Sequence, residues 1–428
     1  MTVIIVDSAL RQRAAEGDPI RVGVIGTGFM GRGMVDQMMR RMTGFDVAAI
    51  FSRTRESAEQ AYSAAGVRDV VHVGDSDRLD DVVAGGGHAI VSDPGIICAA
   101  SCVEAVMEIT GDVEFGATVA TDAIRHRKHL VLVNAELDAT VGPMLKVMAD
   151  EAGVVMTNAD GDEPGVAMNL LRFVSSVGYK PVLAGNIKGF IDRHRNPETQ
   201  AEFARKHGQQ PKMITSFADG TKLSMESTVL ANATGFGVAR RGMIGHRCEH
   251  VRDMADLFDP DELLERPIID YALGAQPGSG AFVVGHDDDP ERSLYMRYFK
   301  MGDGPNYVFY RPFHLVHLEA PLSVARAVLF DDAAVSPMAG PVCEVLATAK
   351  RDLVPGDILD GIGGFACYGV IDNSSSVRAD NLLPMGLADG CRVVRAVKMD
   401  HPIGLDDVEI PEGRLIDALW RQQREHFG

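Results

Sequence analysis

From residue 20 onward, short apolar runs alternate with segments whose apolar positions recur at helical spacing. Ile20–Ile25 (IRVGVI) reads as a buried strand, and a glycine-rich turn follows it at once. Residues 30–42 then carry a helical pattern, and 47–51 a second strand. Further strands are expected at 103–109, 130–133 and 154–157, with a helix over 113–127. Pro143 is placed in the first turn of another helix, where its fixed φ and missing N–H cost nothing. This alternation predicts an α/β chain whose first 157 residues form a doubly wound parallel sheet of the Rossmann type.

Beyond residue 157 the regular alternation stops. Asn196 followed by Pro197 predicts a capped helix start. Residues 213–228 (MITSFADGTKLSMEST) read as two strands joined at Asp219-Gly220. An α+β domain is therefore expected over 158–335. Short strands cut by Gly and Pro then predict a small β-rich domain over 336–428, closed by a helix at 415–426 that holds Trp420.

Length and charge narrow the function. At 428 residues the chain is long enough for two or three domains. Lys and Arg number 42 against 60 Asp and Glu, a formal charge of −18 that argues against nucleic acid as a partner. Apolar residues make up 46%, enough for real cores, yet no run approaches the ~20 residues of a membrane span. The N-terminal MTVIIVDSAL lacks the basic start of a secretory leader. Cys98, Cys102, Cys248, Cys343, Cys367 and Cys391 are scattered, which suits free thiols in the cytoplasm.

The turn after the first strand reads Gly26-Thr27-Gly28-Phe29-Met30-Gly31, or G-x-G-x-x-G. Between a strand and a helix, this pattern lets backbone N–H groups approach a dinucleotide pyrophosphate at a helix N-terminus. An NAD enzyme places an acid about 20 residues further on, for the ribose hydroxyls. Here that region reads Phe51-Ser52-Arg53-Thr54-Arg55. Ser52, Arg53 and Arg55 suit the 2′-phosphate of NADP, with NAD as the alternative cofactor and an incidental solvated loop as the bland reading. Thr110-Gly111 and Asn134-Ala135-Glu136 follow later strands, where the nicotinamide would be bordered by Thr110, Gly111, Asn134 and Glu136.

Several of these segments resemble known families. Gly26 to Gly31, Glu108-Ile109-Thr110-Gly111 and Lys128-His129-Leu130-Val131 resemble the homoserine dehydrogenase type of Rossmann oxidoreductase. Asn134-Ala135-Glu136, Gly161-Asp162-Glu163-Pro164, Ala231-Asn232-Ala233-Thr234-Gly235, Asp270-Tyr271 and Tyr310-Arg311-Pro312-Phe313-His314-Leu315 are similar to the 1-deoxy-D-xylulose 5-phosphate reductoisomerase-like family. Ala349-Lys350-Arg351-Asp352-Leu353 with Pro355-Gly356 resembles the start of an antifreeze-like (SAF) domain. The resemblance implies an oxidoisomerase or reductoisomerase of a small polyol acid or sugar phosphate, working as a homodimer that pairs through a sheet face. One departure stands out: Gly185-Asn186-Ile187-Lys188-Gly189-Phe190 holds one lysine where the family pattern is doubly basic.

Candidate chemistry gathers at four residues. Asp162 and Glu163 could act as acid and base or bind a divalent metal, against a plain capped turn before Pro164. Lys188 could serve the oxygen of a reacting alcohol, and His314 is a second acid–base candidate. Arg193-His194-Arg195 and Arg240-Arg241 are either anion clamps or solvated charge, and His246-Arg247-Cys248-Glu249-His250 is a polar loop with incomplete metal spacing. A simple dehydrogenase and a non-catalytic NADP sensor or scaffold stand as rival readings.

Overall fold

The computed structural model describes residues 3–428; Met1 and Thr2, the start of the segment tested for a leader, lie outside the described residues. The helices are α1 (Val3–Ala15), α2 (Phe29–Asp36), α3 (Arg55–Ala64), α4 (Ser76–Ala84), α5 (Pro94–Ala99), α6 (Val113–Arg125), α7 (Ala135–Ala152), α8 (Glu163–Ser176), α9 (Pro197–Lys206), α10 (Pro211–Ala218), α11 (Thr221–Thr234), α12 (Pro260–Glu265), α13 (Pro290–Tyr298), α14 (Val316–Phe330), α15 (Ser374–Ala379) and α16 (Leu415–Phe427). By packing, the chain falls into two compact units that it enters more than once. The first joins 1–162 with 315–336 and 418–426; the second joins 163–314 with 337–417 and 427–428.

In the first unit, β1 (Ile20–Ile25), β2 (Phe45–Phe51), β3 (Val70–Val73), β4 (His88–Val91), β5 (Ala105–Glu108), β6 (His129–Leu132) and β7 (Met156–Asn158) form one sheet in the order β3-β4-β2-β1-β5-β6-β7. Every pairing is parallel. Strands buried on both faces need near-continuous apolar side chains, and Val22, Val24, Val47, Val106 and Val131 supply them. The order reverses at β1 and β5, so the crevice at their carboxyl ends is where such a sheet takes its ligand. Helix α14 returns to this unit late in the chain, and Val316, Ala320 and Val324 join its core.

Two details differ from the sequence reading here. Pro143 lies inside α7, not in its first turn; the helix begins eight residues earlier, capped by Asn134, whose Oδ1 accepts from the Leu137 N–H. The helix expected over 30–42 is α2 continued by a π-helical turn at Gln37–Arg41.

In the second unit, β8 (Lys180–Lys188), β9 (Ile268–Ile269), β10 (Ala272–Leu273), β11 (Ala281–His286) and β12 (Asn306–Arg311) form a mixed sheet ordered β10-β8-β11-β12, with β9 also on β8. Helices α8 and α11 pack on it through Val166, Ala167, Leu223 and Leu230. The strand hairpin expected over 213–228 is instead two helices, α10 and α11. Gly220, at φ +85°, reverses the chain between helices and not between strands. The sequence of α11 alternates polar and apolar like a strand because this helix is buried nearly all round and so shows no single apolar face.

The remaining strands are β13 (Cys343–Ala349) and β14 (Cys367–Asn373), which pair antiparallel, and β15 (Arg392–Val393) with β16 (Val408–Glu409). They pack in the second unit with α11: Thr221 Oγ1 accepts from the Gly369 N–H, and Ser224 Oγ donates to the Gly369 carbonyl. Residues 337–417 thus share a compact unit with 163–314 where three successive domains were expected. A buried ion pair reinforces the join, Lys350 Nζ to Asp219 Oδ2 at 2.8 Å.

Candidate active site

The glycine-rich turn in the first unit has the backbone that close approach to a dinucleotide needs. Gly26 holds φ +105°, a conformation closed to ordinary side chains. A Cβ on Gly31 would lie 2.1 Å from the Gly26 carbonyl oxygen, so only glycine lets α2 start this close to β1. Gly28 is the N-cap of α2 and offers no side-chain cap. The first N–H groups of that helix therefore remain available to an anion. Thr27 is buried, and its Oγ1 donates to Ser52 Oγ over 2.7 Å. Ser57 Oγ donates to the Thr27 carbonyl, which ties the turn to the end of β2 and the start of α3. Phe29 is exposed and Met30 half-buried at the helix start.

Arg53 and Arg55 stand where the second strand ends, both exposed. Arg55 is engaged with Glu59 at 2.7 Å, one turn along α3. Arg53 has no ion-pair partner among the described residues, which leaves its guanidinium the freer of the two. At the end of β5, Thr110 donates both its N–H and its hydroxyl to Glu108 Oε1. Gly111 turns the chain at φ +67°. Burial pushes the Glu108 carboxyl up to about 7, against the lowering effect of the Thr110 hydrogen bonds. Asn134 donates Nδ2 to the Asp112 carbonyl, and Glu136 is buried in the first turn of α7. The first unit thus fits a dinucleotide at the strand ends of β1 and β5.

The second unit gathers the acid–base candidates. Glu163 opens α8, Lys188 ends β8, and His314 follows β12. Lys188 Nζ lies 2.8 Å from Glu163 Oε1 and 3.5 Å from Glu226 Oε2. His314 Nδ1 is 3.4 Å from Glu163 Oε2. Burial alone would raise the Glu163 carboxyl. The Lys188 charge, with His314 and the Lys188 hydrogen bond, reverses the sign and holds it below the usual range. Glu163 is therefore an ionised counter-ion at neutral pH. Asp162, its chain neighbour, is the last residue of the first unit and is buried.

Glu226 was not legible in the sequence. It lies in the middle of α11 at 1% exposure, and accepts Asn186 Nδ2 at 2.9 Å. Its only sequence signal is a lone acid in a stretch whose alternation predicts two strands. Carboxylate and imidazole together can ligate a cation, and in the second unit Glu163 Oε2 and His314 Nδ1 stand 3.4 Å apart. Yet Glu163 already carries an ammonium at 2.8 Å, and a dication sharing that carboxylate would be repelled by it. The residues fit a lysine-centred proton site better than a metal centre.

The other clusters are tied into structure. Arg241 is paired with Asp372 and Asp380, Arg195 with Asp192, and His194 with Asp400. Arg240 donates to the carbonyls of Met243 and Ile244, while Arg193 lies over the Tyr368 ring. Burial raises the Cys248 thiol, His246 packs edge-on to Phe258, and His250 caps a short 3-10 turn. None of this loop joins a metal-binding group among the described residues.

Residues 161–320 match the family model described as "Oxidoreductase DRL, catalytic domain". That span contains Glu163, Lys188, Glu226 and His314. The chain is an oxidoreductase. No curated protein matches this enzyme. Among solved structures, a probable dehydrogenase from Thermotoga maritima is similar at 14% identity, with 75% of this chain and 92% of that one covered and a TM-score of 0.42. A putative oxidoreductase from Bacillus subtilis gives 15%, 75%, 92% and 0.40. The myo-inositol dehydrogenase from Lactobacillus casei, in complex with NAD(H) and myo-inositol, gives 14%, 68%, 74% and 0.39. These likenesses are too distant to carry substrate or cofactor preference to this enzyme. All six cysteines are free, and no described helix is long and apolar enough to cross a membrane.

Proposed function

We propose that this enzyme transfers hydride between NADP(H) and an alcohol carbon of a small polyol acid or sugar phosphate. The observation that carries this reading is Lys188, held between Glu163 and Glu226 inside the span matched by the oxidoreductase model. When bound, the nicotinamide supplies or accepts the hydride. In the reducing direction a carbonyl oxygen gains negative charge as hydride arrives, and the Lys188 ammonium donates the proton that completes the alcohol. In the oxidising direction the same nitrogen receives the alcohol proton. Glu163, held ionised, orients Lys188 and balances its charge. His314 is then the group suited to move a second proton, as a coupled carbon-skeleton rearrangement requires.

The preference for NADP rests on Arg53, whose guanidinium has no ion-pair partner among the described residues. The rearrangement itself, that is oxidoisomerase or reductoisomerase chemistry, rests on the resemblance of the Gly161 to Pro164 and Tyr310 to Leu315 segments. The reading is tested by following reduced-nicotinamide absorbance across aldonates, branched sugar acids and sugar phosphates, with product analysis for skeletal change. Turnover with an unrearranged product supports a simple dehydrogenase. Binding of NADP without turnover of any polyol would overturn the proposal in favour of a sensor.

A further inference from the structure

Helix α13 connects β11 to β12, and none of its residues is buried. Leu294, Tyr295 and Tyr298, with Phe299 just past the helix end, are 61%, 67%, 79% and 68% exposed. Positions 291, 294, 295 and 298 follow the spacing of one helical face. Four large apolar side chains on one short element make a contiguous patch of the kind that marks an interface.

The helix is presented rigidly. Asp289 caps its N-terminus through the Glu291 N–H. Arg292 anchors the neighbouring face: its guanidinium lies 4.2 Å over the Tyr179 ring, donates to the Val177 and Gly178 carbonyls, and pairs with Asp287 at 2.7 Å. A surface already fixed in shape loses little freedom when it binds.

Charge along the helix says what binds. Beyond the Asp287–Arg292 pair, its N-terminal end carries Asp288, Asp289 and Glu291, and its C-terminal end Arg297 and Lys300. A two-fold axis across the patch would set two copies of α13 antiparallel. Each acidic end would then face the other copy's basic end, while Leu294, Tyr295, Tyr298 and Phe299 meet their counterparts between them. The same surface suits a lipid headgroup layer poorly, since its acidic end and the chain's −18 charge are repelled by anionic lipid.

We infer that the exposed face of α13 is a self-association surface, whose partner is the same helix of a second copy of this chain. This helix face takes the place of the sheet face expected from the resemblance as the dimer contact. Sedimentation velocity on the full chain over a concentration series tests it, with wild type expected to be a dimer. Leu294→Glu with Tyr298→Glu should weaken the dimer by at least about tenfold, the scale of losing central aromatic anchors. Thermal unfolding of the variant monomer should remain cooperative, because both side chains are exposed. Arg297→Glu alone should also weaken the dimer, and Glu291→Arg added to it should restore association, since the swap recreates opposite charges across the axis. Three results would overturn the inference: a wild-type monomer at high micromolar concentration, a dimer indifferent to the Leu294 and Tyr298 substitutions, or capture of the wild-type monomer by anionic vesicles.

Discussion

Asn186 Nδ2 donates to Glu226 Oε2 over 2.9 Å, and two residues further along the same strand Lys188 Nζ comes within 3.5 Å of that same oxygen. One buried carboxylate thus locks a strand amide and neighbours the ammonium that ends the strand. Lys188 is steered from two sides, by Glu163 on α8 and by Glu226 on α11. Replacing Lys188 by Ala should lower kcat by about 10²–10⁴, the scale of losing a positioned acid–base group, with NADP affinity unchanged. Glu226→Gln should lower kcat less, because Glu163 still holds the lysine. Steady-state kinetics beside cofactor titration separate the two effects. A folded Lys188→Ala enzyme with normal kcat would remove this residue from the mechanism and leave His314 as the acid–base group.

The two glycines around the start of α2 should respond differently to a methyl group. At Gly31 a Cβ meets the Gly26 backbone oxygen at 2.1 Å, so Gly31→Ala should lower the melting temperature as well as cofactor affinity. At Gly28 a Cβ meets nothing within 4 Å. Gly28→Ala should therefore melt like wild type yet bind NADP at least about tenfold more weakly, if the pyrophosphate crosses that position. Unchanged binding by this variant would move the cofactor away from the turn.

Arg53 and Arg55 should also part company. Arg53→Ala should cost NADP binding about 1.5–3 kcal/mol, the usual range for a charge-assisted contact, and leave NAD binding untouched. Arg55→Ala should cost less, because that guanidinium is shared with Glu59 at 2.7 Å. Titration of each variant with both cofactors decides the matter.

Glu108 gives stability a pH dependence with a defined sign. Its carboxyl is raised by burial from 4.5 to about 7, so between those values the folded chain retains a proton that the unfolded chain has released. Stability is full below pH 4.5 as far as this group is concerned, falls as pH rises towards 7, and is level above it. The loss is of order 3 kcal/mol across that window. Denaturant unfolding of Glu108→Gln against wild type should show the slope removed between those pH values, and an unaltered slope would assign it elsewhere.

Lys350 and Asp219 form a buried pair, each under 6% exposed, and Lys350 also donates to the carbonyls of Arg195 and Gly364. Lys350→Met should destabilise the second unit by about 3–5 kcal/mol, because Asp219 would be left as an uncompensated buried charge. Replacing both residues by apolar ones of similar size should recover much of the loss, which a double-mutant cycle in urea measures.

What the sequence determined by itself was local. The period of the apolar runs and the G-x-G-x-x-G turn are set by near neighbours, so the parallel sheet and the turn at Gly26 were readable before any contact was known. Glu163 and His314 were legible as candidates because they stand in the Gly161-to-Pro164 and Tyr310-to-Leu315 segments that resemble a known family, and Lys188 because it is the one lysine where that pattern is basic. Tertiary structure decided which of them meet: the Lys188–Glu163 pair joins residues 25 apart in sequence, and Glu226 enters from a helix whose sequence alternates like strands. A helix enclosed on all sides shows no amphipathic period, so its identity was settled by packing against the sheet of β8 and β11 and the strands that follow. The return of residues 315–336 to the first unit was likewise hidden, because no local pattern records which distant core a segment will join.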